Sequence, residues 1–284
     1  MATLSALRLD LQRRFQDKNG GALSTVPANL YINMACEDFV NDVQPMSREY
    51  GFYITAYQFR YDLPTDYIHS RAMMWYQQGT AGELPYLSPQ EFKAHGFLDK
   101  RIVQATPEAY TIIDNDLYLG PAPSTTSNTS TTSASMTALT SSVTVTDSTK
   151  FHSPAGVILI ESEQIAHQSN TSSTNTLGLL LRGQGGTTAA SHANPSTAKR
   201  LDLIMTYAYA HTYMTSDTQS PEFSGRYHRL IVLLALHYAL KQFGMEDEAA
   251  NAWEQYNSQK INAKREFRRQ VRDISNRRVR ASYS

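Results

Sequence analysis

The chain has 284 residues, 41% of them hydrophobic, enough for one large domain or two ordinary ones with a buried core, which excludes wholesale disorder. Its 26 Lys and Arg balance 26 Asp and Glu, so no overall field draws it to nucleic acid or membrane. Its one cysteine, Cys36, leaves no intrachain disulfide and no multi-cysteine metal site.

The balance is uneven. From Lys260 to Ser284 nine Lys/Arg face only Glu266 and Asp273, so this tail carries +7 and the remainder −7. The opening MATLSALRLDLQRRF has no apolar h-region, which predicts a cytosolic product without a signal peptide. The apolar run Leu230–Leu240 is interrupted by His237 and is too short to span a bilayer. The 17 tyrosines suit either protein–protein contacts or half-buried sheet positions.

Leu4, Leu7, Leu11 and Phe15 recur at helical spacing and predict a first amphipathic helix, stopped by Asn19-Gly20-Gly21. A second helix is predicted from Pro27, with Ile32, Ala35, Phe39 and Val43 inward, ending before Pro45. Phe52, Ile54, Tyr57, Phe59 and Tyr61 are strand-prone and predict β-structure from Tyr50 to Leu63-Pro64. Asp66 is expected to cap a short helix through Met73, Met74 and Trp75, followed by a loop with Gly79, Gly82 and Pro85. Ser88-Pro89-Gln90-Glu91 reads as N-cap, first-position proline and first-turn acid of another short helix. Tyr110 to Leu119 reads as a hairpin around Asn115, closed by Pro121 and Pro123.

From Ser124 to Ser142, 14 of 19 residues are Ser or Thr and none is charged. Such a tract is expected to be a linker or loop. Val143–Val145, Val157–Ile160, Ile165 and Leu177–Leu181 then predict short strands of a small all-β module. Leu201–Tyr209 resumes strand character and reads as the sequel to Leu117–Pro121, so the module is expected inside a hairpin of the host domain. Ser224–Phe243 is apolar nearly all round and predicts a central helix ended by Gly244. A long helix follows from about Glu246 to Arg278, on the order of 50 Å at 1.5 Å per residue, with Trp253, Tyr256, Ala263, Phe267, Val271 and Ile274 as its apolar stripe.

The fold class expected is α+β: a helical bundle with a long C-terminal helix and a β-hairpin or sheet, plus an inserted small all-β domain. The divisions are 1–123, 124–199 and 200–284. The segments Leu63-Pro64-x-Asp66-Tyr67, Tyr110-x-Ile112-x-Asp114-x-x-Leu117-x-Leu119-x-Pro121 and Pro221-x-Phe223-x-x-x-Tyr227-His228-x-x-Ile231-Val232-x-x-Ala235-Leu236, with Ala249–Tyr256 after them, carry a resemblance. In this order, over roughly 1–123 and 200–284, the chain resembles the head–tail adaptor proteins of tailed phages. Gly156–Ile160, Glu163-x-Ile165 and Arg182-Gly183-x-Gly185-Gly186-Thr187-Thr188-Ala189-Ala190-x-His192 resemble a β module of phage structural proteins.

The resemblance implies a structural virion protein at the head–tail junction and not an enzyme. It implies a dodecameric ring docked under the portal, continuing the channel through which genomic DNA passes without sequence recognition. Portal, stopper, tail-terminator and other tail proteins are the implied partners, with no membrane and no cofactor. The family's C-terminal helix reaches the portal, which singles out Arg265, Phe267, Arg268, Arg269, Arg272, Ile274, Arg277, Arg278 and Arg280. Arginine suits bidentate carboxylate or phosphate contacts, and the competing readings are a solvated helix end or direct DNA contact. The rival function is a collar or tail binding module whose β insert holds a fibre or host glycan.

Catalytic and metal candidates are weak. Glu161 and Glu163, two apart on a strand, form the one carboxylate pair suited to glycoside hydrolysis. Gly183-Gln184-Gly185-Gly186 lacks the lysine and helix of a phosphate-binding loop. His152, His167 and His192 share the β module, while His228 and His237, nine apart, do not share a helical face. No catalytic and no metal residue is therefore assigned.

Overall fold

A computed structural model describes residues 2–77, 80–98 and 105–281, without the side chains of 77, 80, 81 and 267–281. By contacts the chain divides into two units, Met1–Ser47 with Ala208–Ser284, and Arg48–Tyr207. The class is α+β, as expected. This division groups residues 48–123 with the strands that follow them.

The first unit is helical. α1 (Leu4–Asn19) buries Leu4, Leu7, Leu11 and Phe15, the four positions picked out by their spacing. Thr3 caps its start, and Gly20 ends it in the left-handed region at φ 68°, where glycine has no Cβ to clash. α2 (Thr25–Val43) starts two residues before Pro27 and buries Ile32, Ala35, Phe39 and Val43 among others.

Among the described residues the second unit holds four sheets, whose described ladders are antiparallel. β1 (Arg48–Phe52), β3 (Tyr67–Gln77), β4 (Thr80–Glu83) and β15 (Leu203–Tyr209) form one, in the order β1-β15-β3-β4; β2 (Arg60–Asp62) joins β6 (Asp116–Gly120) and β5 (Ala109–Ile113) in another. Between β4 and β5, α3 (Pro89–Ala94) opens on a complete capping box: Ser88 Oγ accepts the Glu91 amide, and the Glu91 carboxylate accepts the Ser88 amide. The β5–β6 turn uses Asp114 and Asn115 at φ 50° and 69°, the two positive φ values that a two-residue hairpin turn demands.

Three expectations fail here. The stretch from Tyr67 through Trp75 is a strand, not a helix, with Met73 and Trp75 buried at alternate positions. Methionine and alanine favour helix weakly, and ladders to both neighbouring strands override that preference. Asp66 is no cap; it accepts from Arg48 Nη1 at 2.8 Å and from the Tyr207 hydroxyl at 2.8 Å. The aromatic run from Tyr50 to Tyr61 is broken, because Tyr57 turns at φ 70° and stands 66% exposed.

β7 (Thr129–Thr131), β9 (Gly156–Ile160), β10 (Glu163–His167), β13 (Leu181–Gln184) and β14 (Thr197–Arg200) form a five-stranded sheet in the order β13-β10-β9-β14-β7. β8 (Ser142–Thr144), β11 (Ser169–Thr171) and β12 (Thr176–Gly178) form the fourth sheet. Their shared core, including Met136, Val143, Phe151, Ile158, Ile160 and Leu177, comes entirely from residues 136–198. The Ser/Thr tract is therefore not a plain linker: Thr129–Thr131 pairs with β14, and its hydroxyls accept buried amides from elsewhere in the unit, those of Ile54 and Ser196. Ser127 Oγ accepts the Ile54 amide at 3.1 Å and donates to Asp202 Oδ2 at 2.6 Å. The strands flanking the module are not hairpin neighbours either, since β6 and β15 belong to different sheets.

Back in the first unit, α4 (His228–Gln242) buries ten of its residues and contacts α1, α2 and α5 (Glu246–Ala281). It is the central helix that its near-uniform apolarity predicts, and Gly244 at φ 75° closes it. No helix among the described residues is long and apolar enough to cross a membrane.

Candidate functional site

The C-terminal helix is the site the sequence singles out. α5 has 36 residues, about 54 Å at 1.5 Å per residue. Ala249, Ala252, Tyr256 and Ala263 are buried, and the small alanines let the helix lie close against its neighbours. Trp253, expected on that inward stripe, is 39% exposed. It walls a groove of about 390 Å³ with Asp38, Asp42, Tyr238 and Tyr256. Lys260 fills part of that groove: its Nζ lies 5.5 Å from the Trp253 ring centre and 5.1 Å from that of Tyr256, and 2.7 Å from Asp42 Oδ2.

Asp42 also receives Lys264. Burial alone would raise the Asp42 carboxyl, but the hydrogen bonds from Lys260 and Lys264 hold it below its usual range. Two residues further, Glu266 is paired with Arg226 and accepts the Tyr227 hydroxyl at 3.0 Å. Within the described side chains the helix is thus tied into its own bundle through Glu266. Arg265 lies within this stretch and is exposed. Phe267, Arg268, Arg269, Arg272, Ile274, Arg277, Arg278 and Arg280 fall on the final stretch of α5, and their side chains lie outside the described residues.

The second concentration of charge is inside the β module. Glu163, on β10, is 1% exposed. Its carboxylate accepts from Arg182 Nε at 2.8 Å and Nη2 at 2.7 Å, from the Gly183 and Ala190 amides at 2.9 and 3.0 Å, and faces His192 Nε2 at 2.8 Å. Burial would raise this carboxyl, yet Arg182, the two amides and His192 overcome it and hold it at about 2. His192 Nδ1 lies 3.1 Å from Glu161 Oε2.

This network answers two sequence candidates. The glycine-rich turn does present a backbone amide, that of Gly183, to an anion, and the anion is the chain's own Glu163, which the Ala190 amide also reaches. Gly183 needs its φ of 63°, and a Cβ there would come within 3.0 Å of the Thr187 carbonyl oxygen. The Glu161–Glu163 pair is not a hydrolytic pair in arrangement, because the Glu163 oxygens are saturated by donors while Glu161 is 56% exposed.

A third cluster joins the module to the sheet beneath it, within the same unit. Gln164 grips the Gly51 backbone twice: its Oε1 accepts the amide at 2.9 Å and its Nε2 donates to the carbonyl at 3.0 Å. A Cβ on Gly51 would meet Leu201 Cδ1 at 2.4 Å. Nearby, His152 Nε2 lies 2.9 Å from Asp202 Oδ1, and Asp202 also receives Arg200 and Ser127. Against its burial, those three partners lower the Asp202 carboxyl. His167 is 1% exposed, and burial pushes its imidazole down to about 4. The histidines thus serve separate carboxylates or the core, and no group of three or more His, Cys, Asp or Glu among the described residues could hold a metal. None of these polar networks was legible in the sequence. The faint signal was a strand glutamate followed by Arg-Gly and a later histidine.

The family model described as SU10 adaptor protein matches residues 2–159, which run from α1 into β9. No curated protein matches the chain.

Proposed function

The chain belongs to the SU10 adaptor protein family, and from that membership we propose that it forms the adaptor ring between portal and tail of a phage virion. The family is one of phage adaptor proteins, structural rather than catalytic. In this reading the subunits form a closed, dodecameric ring, extend the channel through which genomic DNA passes, and present the surface on which stopper or tail-terminator proteins dock. Residues 124–199 are a β module added to an adaptor core made of 1–123 and 200–284, a reading supported by the module's self-contained core.

The observation that carries the portal contact is the design of α5. Its first part is held by Asp42, Arg226 and Tyr227, and the part beyond Glu266 carries six arginines against the single acid Asp273. A helix anchored in its bundle through Glu266 and basic beyond it offers a cationic segment to a partner. Arg268, Arg269 and Arg272 give it register and steering, screened over a Debye length of about 8 Å, while Phe267 and Ile274 add about 1.5–3 kcal/mol each when fully buried.

The test is triple charge reversal, Arg268→Glu, Arg269→Glu and Arg272→Glu. Filled heads that lack this protein and leak DNA are expected, with the circular dichroism of the purified subunit unchanged. Normal necks from the triple variant would move the portal contact elsewhere on the chain.

A further inference from the structure

The helical unit leaves two rows of large apolar side chains in water. On α2, Val26, Leu30 and Met34 follow one another at four-residue steps and are 80%, 45% and 40% exposed; Leu9 of α1 is 62% exposed. On α5, Trp253 and Ile261 stand about two turns apart and are 39% and 50% exposed. Each row ends in an exposed charge, and the signs are opposite: Glu37 one turn beyond Met34, and Arg265 one turn beyond Ile261. The bundle's own core does not use the α2 row, because α2 buries a separate face that includes Ile32, Ala35 and Phe39.

We propose that the α2 row of one copy packs parallel against the α5 row of the next copy, with Ile261 on Met34 and Arg265 on Glu37. This rests on the ring reading above and names its subunit contact. A ring closed by head-to-tail contacts requires two different, mutually complementary faces on every subunit, and exposed apolar rows rimmed by polar residues are the kind of face that serves. A second copy is the occupant argued for because it brings an exposed apolar row that ends in the opposite charge. Both rows run from apolar residues to a terminal charge in the same chain direction, and the terminal charges attract. An antiparallel approach would instead carry Glu37 toward the acidic first turn of α5, with Glu246, Asp247 and Glu248.

The experiment uses the full chain carrying Met34→Cys and Ile261→Cys; the native Cys36 is buried. Oxidation at raised concentration is expected to give a ladder of linked chains beyond the dimer, since every copy offers both faces, and neither single-cysteine variant should link. No ladder from the double variant, or dimers from a single one, overturns the pairing. A second measurement is sedimentation of Glu37→Arg and Arg265→Glu: each should weaken self-association severalfold, and the combined reversal should restore it. All these positions are exposed, so the thermal midpoint should not move. Electron microscopy of necks separates this contact from the ring itself. A Val26→Asp/Met34→Asp variant that still forms the wild-type ring sinks the contact alone, whereas wild-type necks without a ring sink the ring reading. If that variant instead loses portal protein on copurification while the cysteine ladder is absent, the α2 row belongs to portal and the subunit contact is overturned.

Discussion

Replacing Glu163 by glutamine removes one buried negative charge while keeping the side chain's shape. In the wild type that carboxylate faces five donors, among them both the Nε and Nη2 of Arg182, whose side chain is 9% exposed. The variant leaves the guanidinium buried without its counter-ion and points an amide NH2 at donors that need an acceptor. Removing one partner of a buried pair costs about 3–5 kcal/mol, a large share of a total stability of about 5–15 kcal/mol. The pH dependence gives an independent figure. The folded carboxyl lies at about 2 against an ordinary 4.5, which at about 1.36 kcal/mol per pH unit is about 3 kcal/mol. Because the folded value is the lower one, this contribution is complete above pH 4.5 and is lost as pH falls from there through about 2. Urea unfolding of wild type and Glu163→Gln between pH 2 and 7, followed by circular dichroism with exchange readout on β10 and β13, checks both figures. The midpoint should fall sharply at neutral pH, and between pH 4.5 and about 2 the variant should lose about 3 kcal/mol less than the wild type, while the acid losses due to other groups remain. A Glu163→Gln protein within about 1 kcal/mol of wild type, with an acid limb as steep as the wild type's below pH 4.5, would refute the assignment of Glu163 as the built-in anion of the glycine-rich turn.

His167 supplies a second, separate acid window: its folded imidazole is lowered to about 4 from 6.5, so stability should drop as pH falls between these values, and His167→Leu should flatten that interval in the same titration. Gly51→Ala should destabilise by about 1–3 kcal/mol through overpacking, read as a lower urea midpoint, because the added Cβ meets Leu201 at 2.4 Å. Asp42→Asn should lower stability by no more than about 1 kcal/mol, since its partners are partly exposed, yet should speed amide exchange around Lys260 and Lys264; unchanged exchange there would mean the aromatic contacts of Lys260 suffice. Deleting 124–199 and joining Pro123 to Arg200 should leave helices that still unfold cooperatively by circular dichroism, and loss of cooperativity would contradict the added-module reading.

The elements that local chemistry governs were all readable from the sequence. The buried faces of α1 and α2 follow from apolar residues at helical spacing, α3 from Ser88 and Glu91, and the β5–β6 turn from Asp114-Asn115. Each depends on residues within about two turns of one another, so the signal is contained in a short window. Where partners lie far along the chain, the window misleads. Tyr67–Gln77 contains methionine and alanine and reads as helix, but β15, more than a hundred residues later, sits beside it in the sheet. The Ser/Thr tract reads as a linker because its hydroxyls have no visible acceptors; folding brings Asp202 and β14 to them. Of the arginines chosen on α5, their number and crowding are a property of the sequence, while the position of Arg265 next to an anchored residue, Glu266, is known only from the packing of Arg226 and Tyr227. The glutamate that fills the glycine-rich turn is the sharpest case. A carboxylate and the donors that saturate it are separated by up to 29 residues, and only the register of β10 on β13 makes a buried ion site from what the sequence presents as an unpaired acid.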